Sequence, residues 1–203
     1  MKTGNRSRRT TLLGLLTAIL MVFALTPLGY LNIGPLAISF NMIPVAIGAA
    51  ALGPVGGAIL GAVFGMTSFL QCLGIGGSSA MGVILFDINP FFAFVQRFVP
   101  RLLTGFLVGL IYKGSRKFAK AGIAGGIAGF FAALLNTVLF MGALILLYGN
   151  TQYLIDLIAG RNIVVFVCAF VGVNAVAEML ASTMVTAALC TALDRARLMG
   201  AQR

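Results

Sequence analysis

The residues able to do chemistry in this chain are few, and they sit in apolar surroundings. Arg97 and Arg101 stand four apart in INPFFAFVQRFVPRLLTG, residues 88–105, with Pro100 between them. Asn174 and Glu178 stand four apart further on, and Asn136 lies alone in another apolar run. A spacing of four puts each pair on one helix face. Ionisable groups inside a membrane are costly, and they face a cavity, water or one another. Two guanidiniums and one carboxylate leave one positive charge over. Arg101 with Glu178 is the expected structural ion pair, since removing either partner would strand a buried charge. Arg97 lies a turn nearer the outer side and is left to meet an anionic ligand arriving from outside. The competing role for Arg97 is contact with outer lipid phosphates; for all three charges it is a single internal network. Asn136 and Asn174 supply amides at similar depth. Pro100 withholds a donor from the carbonyl of Gln96 and crowds it, so a kink that opens space is expected there.

Catalysis finds little support. The chain has no His, which removes the commonest general base and metal ligand. There is no HExxH pattern, and Ser39, Ser68 and Ser182 have no recognisable base beside them in sequence. Cys72, Cys168 and Cys190 are far apart in apolar runs and read as small buried residues, with no metal or disulfide spacing. No enzyme, cofactor or metal site is expected.

The elements that must position these residues are membrane spans. Of 203 residues, 60% are hydrophobic and 9% are charged. A soluble domain of this size does not hide that much apolar surface. Spans of about 20 apolar residues are expected over 11–28, 54–72, 90–112, 121–148 and 162–193, with a short one over 40–52. These make one all-α domain, a six-helix transmembrane bundle over residues 1–203. The basic start resembles a signal peptide, but no convincing cleavage site follows, so it reads as a retained first helix. The net charge of +10 does not point to nucleic acid, because 11 of the 14 basic residues lie in three flanking segments. These hold Lys2, Arg6, Arg8 and Arg9; Lys113, Arg116, Lys117 and Lys120; and Arg195, Arg197 and Arg203. With six spans all three segments fall on one face and only Arg161 on the other, so both termini are expected in the cytoplasm. The short second span covers about 20 Å as a helix, and is expected to be tilted, broken or partly outside the hydrocarbon. Gly57, Gly61 and Gly65 form a small-residue stripe, as do Gly122 with Gly126 and Gly125 with Gly129, which suits close helix packing in lipid. No soluble nucleotide-binding domain is present, so any energised work must draw on an ion gradient or a partner.

The blocks NMIPVAIGAAALGPVGGAILGAVFGMTSFLQC, INPF and VPRLLTGFLVGLIY resemble the substrate-binding S components of energy-coupling factor (ECF) vitamin transporters, most of all the pantothenate-type members. The resemblance covers nearly the whole chain. It implies a six-helix membrane bundle in the bacterial plasma membrane, with a pocket in its outer half for a vitamin or its precursor. It implies docking on a transmembrane coupling subunit driven by two cytoplasmic ATPases, and toppling of the bundle to release substrate inside. Small residues on the first helix form part of the docking surface in that family. Gly14 and Ala18 occupy the place here, with Gly14 where an alanine is common. The loops at 29–39 and 74–89 are expected to help close the pocket. The expected substrate-binding set is Arg97, Asn174, Asn136, Gln71 and Asn89. Other substrates in the same family, such as riboflavin, folate or a queuosine precursor, are alternatives. So is a stand-alone secondary transporter, although no inverted repeat is detectable.

Overall fold

A computed structural model describes residues 2–26, 29–33, 36–76, 79–160 and 162–196. Arg161, Arg197 and Arg203, used above to orient the chain, lie outside the described residues. The order is α1 (Lys2–Leu25), a hairpin of β1 (Tyr30–Ile33) and β2 (Leu36–Ser39), α2 (Met42–Leu52) and α3 (Pro54–Leu70). A 3-10 turn (Gln71–Leu73) leads to α4 (Ala80–Ile88), α5 (Pro90–Ser115), α6 (Ala121–Tyr148), α7 (Gln152–Ile158) and α8 (Ile163–Arg195). Among the described residues, five helices are long and apolar enough to cross a membrane, and α2 is a shorter apolar one.

The segment 29–39 departs from the expected loop. It is an antiparallel hairpin with Tyr30 opposite Ser39 and Ile33 opposite Leu36. The apolar, partly β-branched runs YLNI and LAIS on either side of Gly34-Pro35 carry a hairpin signal. The all-α description therefore holds for the helices of the bundle and not for this connection, whose second strand packs against α8. The first helix also begins earlier than the apolar run, at Lys2, so the basic residues are helical.

The short helix α2 is the axis of the bundle. All eleven of its residues are buried, and it touches α1, α3, α5, α6 and α8. A helix apolar on every side is stable only where every side is covered. Burial on all sides lets so short an apolar helix stand within the bundle. Gly53, at a φ of 85°, stops α2, and Pro54 opens α3 at a position where its missing N–H costs nothing. From α1, Arg9 Nη2 donates to Leu52 O at 2.8 Å and closes the C-terminal end of α2. Leu12 and Leu13 of α1 and Leu193 of α8 pack against one cluster, so the start of α1 and the end of α8 share an end of the bundle.

Glycines set the spacing of the other helices. A Cβ on Gly57 would collide with the Gly105 carbonyl, one on Gly61 with the Arg101 carbonyl, and one on Gly65 with Phe98. The α3 and α5 backbones therefore touch along three turns. The second seam joins α6 and α8, where Gly122 faces Thr191, Gly125 faces Cys190 and Gly129 faces Ser182. Without water between helices in lipid, such contact supplies the packing that holds them together.

Candidate functional site

Arg97 lies in the N-terminal third of α5 and is 6% exposed. Asn89 fixes that helix start: its Oδ1 accepts from Phe92 N at 3.1 Å, with Pro90 at the first helical position. The guanidinium of Arg97 joins two elements. Nη1 donates to Ser68 Oγ on α3 at 3.3 Å, and Nη2 donates to Ser79 Oγ at 3.1 Å. Ser79 is also the cap of α4, accepting from Gly82 N at 3.2 Å. Gly82 packs closely against the site: a Cβ there would lie 2.8 Å from Arg97 Nη2 and 2.9 Å from Cys72 Sγ, so a larger residue would displace the guanidinium.

Arg101 turns back along its own helix. Its Nη1 donates to the Arg97 carbonyl at 2.7 Å. Its guanidinium carbon stands 4.6 Å from the Phe64 ring centre and 4.9 Å from that of Phe140. Arg97 stands 5.4 Å from the same Phe140 ring. One aromatic ring thus serves two buried cations, each contact contributing about 0.5–2 kcal/mol. The helix runs through Pro100 to Ser115, so Pro100 does not break α5.

The other expected residues fall at several places. Asn136 lies one turn before Phe140 on α6 and shares its face. Its Oδ1 is buried with no hydrogen-bond partner among the described residues. Extending the α6–α8 contact two turns outward from Gly129 and Ser182 brings Asn136 opposite the turn from Asn174 to Glu178, both half-buried. Gln71 is buried, and its Nε2 donates to Ala24 O at 2.9 Å, tying the end of α3 to α1. Asn89 sits two turns outward of Arg97. Its side-chain oxygen caps α5 and its carbonyl accepts from Tyr148 Oη at 3.1 Å. Gly14 and Ala18 are exposed on α1 beside Leu15, Ile19 and Val22, and a Cβ on Gly14 would meet nothing within 4 Å.

Four neighbours of the site escaped the sequence reading. Ser68 has no base beside it in sequence; its partner is an arginine twenty-nine positions away. Ser79 had a local signal as the residue before an apolar helical run. Phe140 stands four after Asn136, but aromatic residues are common in spans. Gln96 is fully buried, and neither amide atom has a hydrogen-bond partner among the described residues. As an amide deep in an apolar span, next to Arg97, it was as legible as Asn136.

Five span-length apolar helices among the described residues, packed around a buried group of arginines, serines and amides, define a polytopic membrane protein. Over residues 8–190 the chain matches the family described as ECF transporter, substrate-specific component, and it belongs to that family. It is 27% identical over 203 residues to the pantothenic acid transporter PanT of Lactococcus lactis subsp. cremoris, covering 95% of this chain and 97% of that one. It is also 27% identical over 198 residues to the pantothenate transporter PanT of Leuconostoc mesenteroides subsp. mesenteroides, covering 92% of each.

Proposed function

We propose that this chain captures pantothenate from outside the cell and presents it to an ATP-driven import module. The observation that carries the reading is Arg97: a buried guanidinium whose two terminal nitrogens are held by the neutral hydroxyls of Ser68 and Ser79. The two hydroxyls orient the fork and bring no charge of their own, and a carboxylate is the group that matches it in shape and charge. Pantothenate carries one carboxylate, an amide and two hydroxyls. Arg97 takes the carboxylate, and Asn136, Asn174 and Gln71 supply amides for the remaining polar groups. Arg101 is balanced by Glu178, which keeps it from competing for the same anion. Two nearly full-length relatives named for pantothenate transport support this substrate over other vitamins.

The remaining parts of the reading are proposed by analogy with the family. The hairpin and the 74–89 segment close over the solute from the outer side. Gly14 and Ala18 let α1 approach a transmembrane coupling subunit, which two cytoplasmic ATPases drive. The basic segments put both termini in the cytoplasm and the chain in the bacterial plasma membrane. It performs no catalysis and uses no cofactor. Calorimetric titration of the purified, ligand-free chain with pantothenate, riboflavin, folate, biotin and thiamine tests the substrate. Tight one-to-one binding of pantothenate alone is expected, and tight binding of another vitamin in its place overturns the assignment. Uptake into proteoliposomes by this chain alone would overturn the need for an import module.

A further inference from the structure

A second polar feature lies at the far end of α5 from Arg97. Nineteen residues separate Arg97 from Arg116, about 28 Å along a helix. There the end of α5, the start of α6 and the end of α8 enclose a cleft of about 410 Å³. Arg116, Lys120 and Arg195 line it, against one carboxylate, Asp194. Arg116 and Asp194 are 3.5 Å apart and balance each other. Lys120 and Arg195 remain in excess, both exposed. The start of α6 adds to the same potential. Lys120 is its N-cap and makes no side-chain capping bond, and no acidic residue occupies the first turn. The opening N–H groups of a helix have no acceptor within the helix and carry its positive end. Ala121, Gly122 and Ile123, which bear them, line the cleft.

We propose that this cleft binds a phosphate-bearing anion. Two cations from different elements beyond the Arg116–Asp194 pair, together with a helix N-terminus, suit a tetrahedral dianion or a phosphodiester. The observations favour the headgroup of an acidic phospholipid as its source. α5 has 26 residues, about 39 Å, so its end reaches headgroup depth in a bilayer. Beside the cleft, Ile123 is 61% exposed and Phe118 79% exposed, apolar surface suited to the glycerol and upper acyl region. A soluble phosphate compound carries the same binding chemistry without using that surface.

Native mass spectrometry of the full chain in detergent separates these outcomes, with phosphatidylglycerol, phosphatidylcholine and glycerol 3-phosphate as probes. One phosphatidylglycerol per chain is expected to be retained in preference to phosphatidylcholine. The double variant Lys120→Gln/Arg195→Gln is expected to weaken it about 30-fold. The matched variant Lys113→Gln/Lys117→Gln removes equal charge at the nearby end of α5, outside the cleft lining, and is expected to leave retention within about threefold of the parent. Glycerol 3-phosphate competing at equal affinity would keep the site and assign it to a soluble phosphate compound. Equal retention of the two lipids would overturn the site, as would equal losses in the two double variants. Both chains keep Arg97, so pantothenate titration of the same samples reads the solute site separately.

Discussion

If Arg97 holds a carboxylate, its removal has a size that the geometry sets. The guanidinium is buried and already oriented by Ser68 and Ser79, so little side-chain ordering remains to oppose binding. A bidentate contact to a carboxylate makes two charge-assisted bonds of about 1.5–3 kcal/mol each. Truncating such a buried partner costs about 2–5 kcal/mol, roughly 30- to 5000-fold in Kd. Arg97→Lys keeps the charge but loses the fork, and an intermediate loss of about tenfold to 100-fold is expected. Arg97→Ala also cuts the link between α3 and α4, so weaker binding by itself is ambiguous. The neutral analogue in which CH2OH replaces the carboxylate resolves this. The parent chain should prefer pantothenate over that alcohol by two or more decades, and Arg97→Ala should abolish the preference. The double difference isolates the contact between guanidinium and carboxylate. Calorimetry on all four combinations, with Ser68→Ala/Ser79→Ala as a control that breaks the link but keeps the charge, completes the cycle. A preference that persists undiminished in a folded Arg97→Ala chain refutes the reasoning.

Asn89→Ala removes the cap of α5 and should lower stability by about 1 kcal/mol, read as a lower unfolding temperature with pantothenate affinity within threefold of the parent. Gly61→Val should destabilise the chain strongly, because a side chain there meets the Arg101 carbonyl across the α3–α5 seam; expression and unfolding temperature check it. Gly14→Leu points into open space on α1 and should leave stability and solute binding unchanged while abolishing co-purification with the coupling subunit. Gln96→Met removes two buried polar atoms that have no partner among the described residues, and should raise the unfolding temperature of the solute-free chain by the equivalent of about 1–3 kcal/mol.

Much of the framework was legible because the bilayer imposes it. Apolar runs of span length and the breaks between them mark the long helices closely, as with α6 over Ala121–Tyr148. The glycine stripes announced the seams, although not which helix each would meet. What stayed hidden depends on contacts distant in sequence. The shortness of α2 marks it as unusual, but its central place is a property of five neighbours. The partners of Arg97 are serines from two other elements, and a lone Ser in an apolar run carries no sign of what it faces. Asn89 shows the opposite limit: an asparagine before a proline is both a plausible ligand group and a good helix cap, and the structure uses its oxygen as the cap.

Arg97 belongs to two regions of unequal rigidity, and that inequality bears on how a solute can be held and then released. Behind it, three glycine contacts press the α3 and α5 backbones together, and α2 fills the axis without an exposed residue. Little there can shift without opening a packed seam. In front of it, α4 has nine residues, and Ala80, Ile84, Asp87 and Ile88 are exposed. It is tied by the Arg97–Ser79 bond at one end and by Tyr148 to the Leu85 and Asn89 carbonyls at the other. Segments with so few buried contacts open at low free energy. Arg97, the residue proposed for the solute, is therefore also a tie that holds the start of α4. A carboxylate on its fork bears directly on whether Ser79 stays bonded, so occupancy and closure act through one side chain. If Arg97 takes the anion, the packed wall behind it would fix where the anion sits, and the lightly held α4 in front would be the part that binding energy could move.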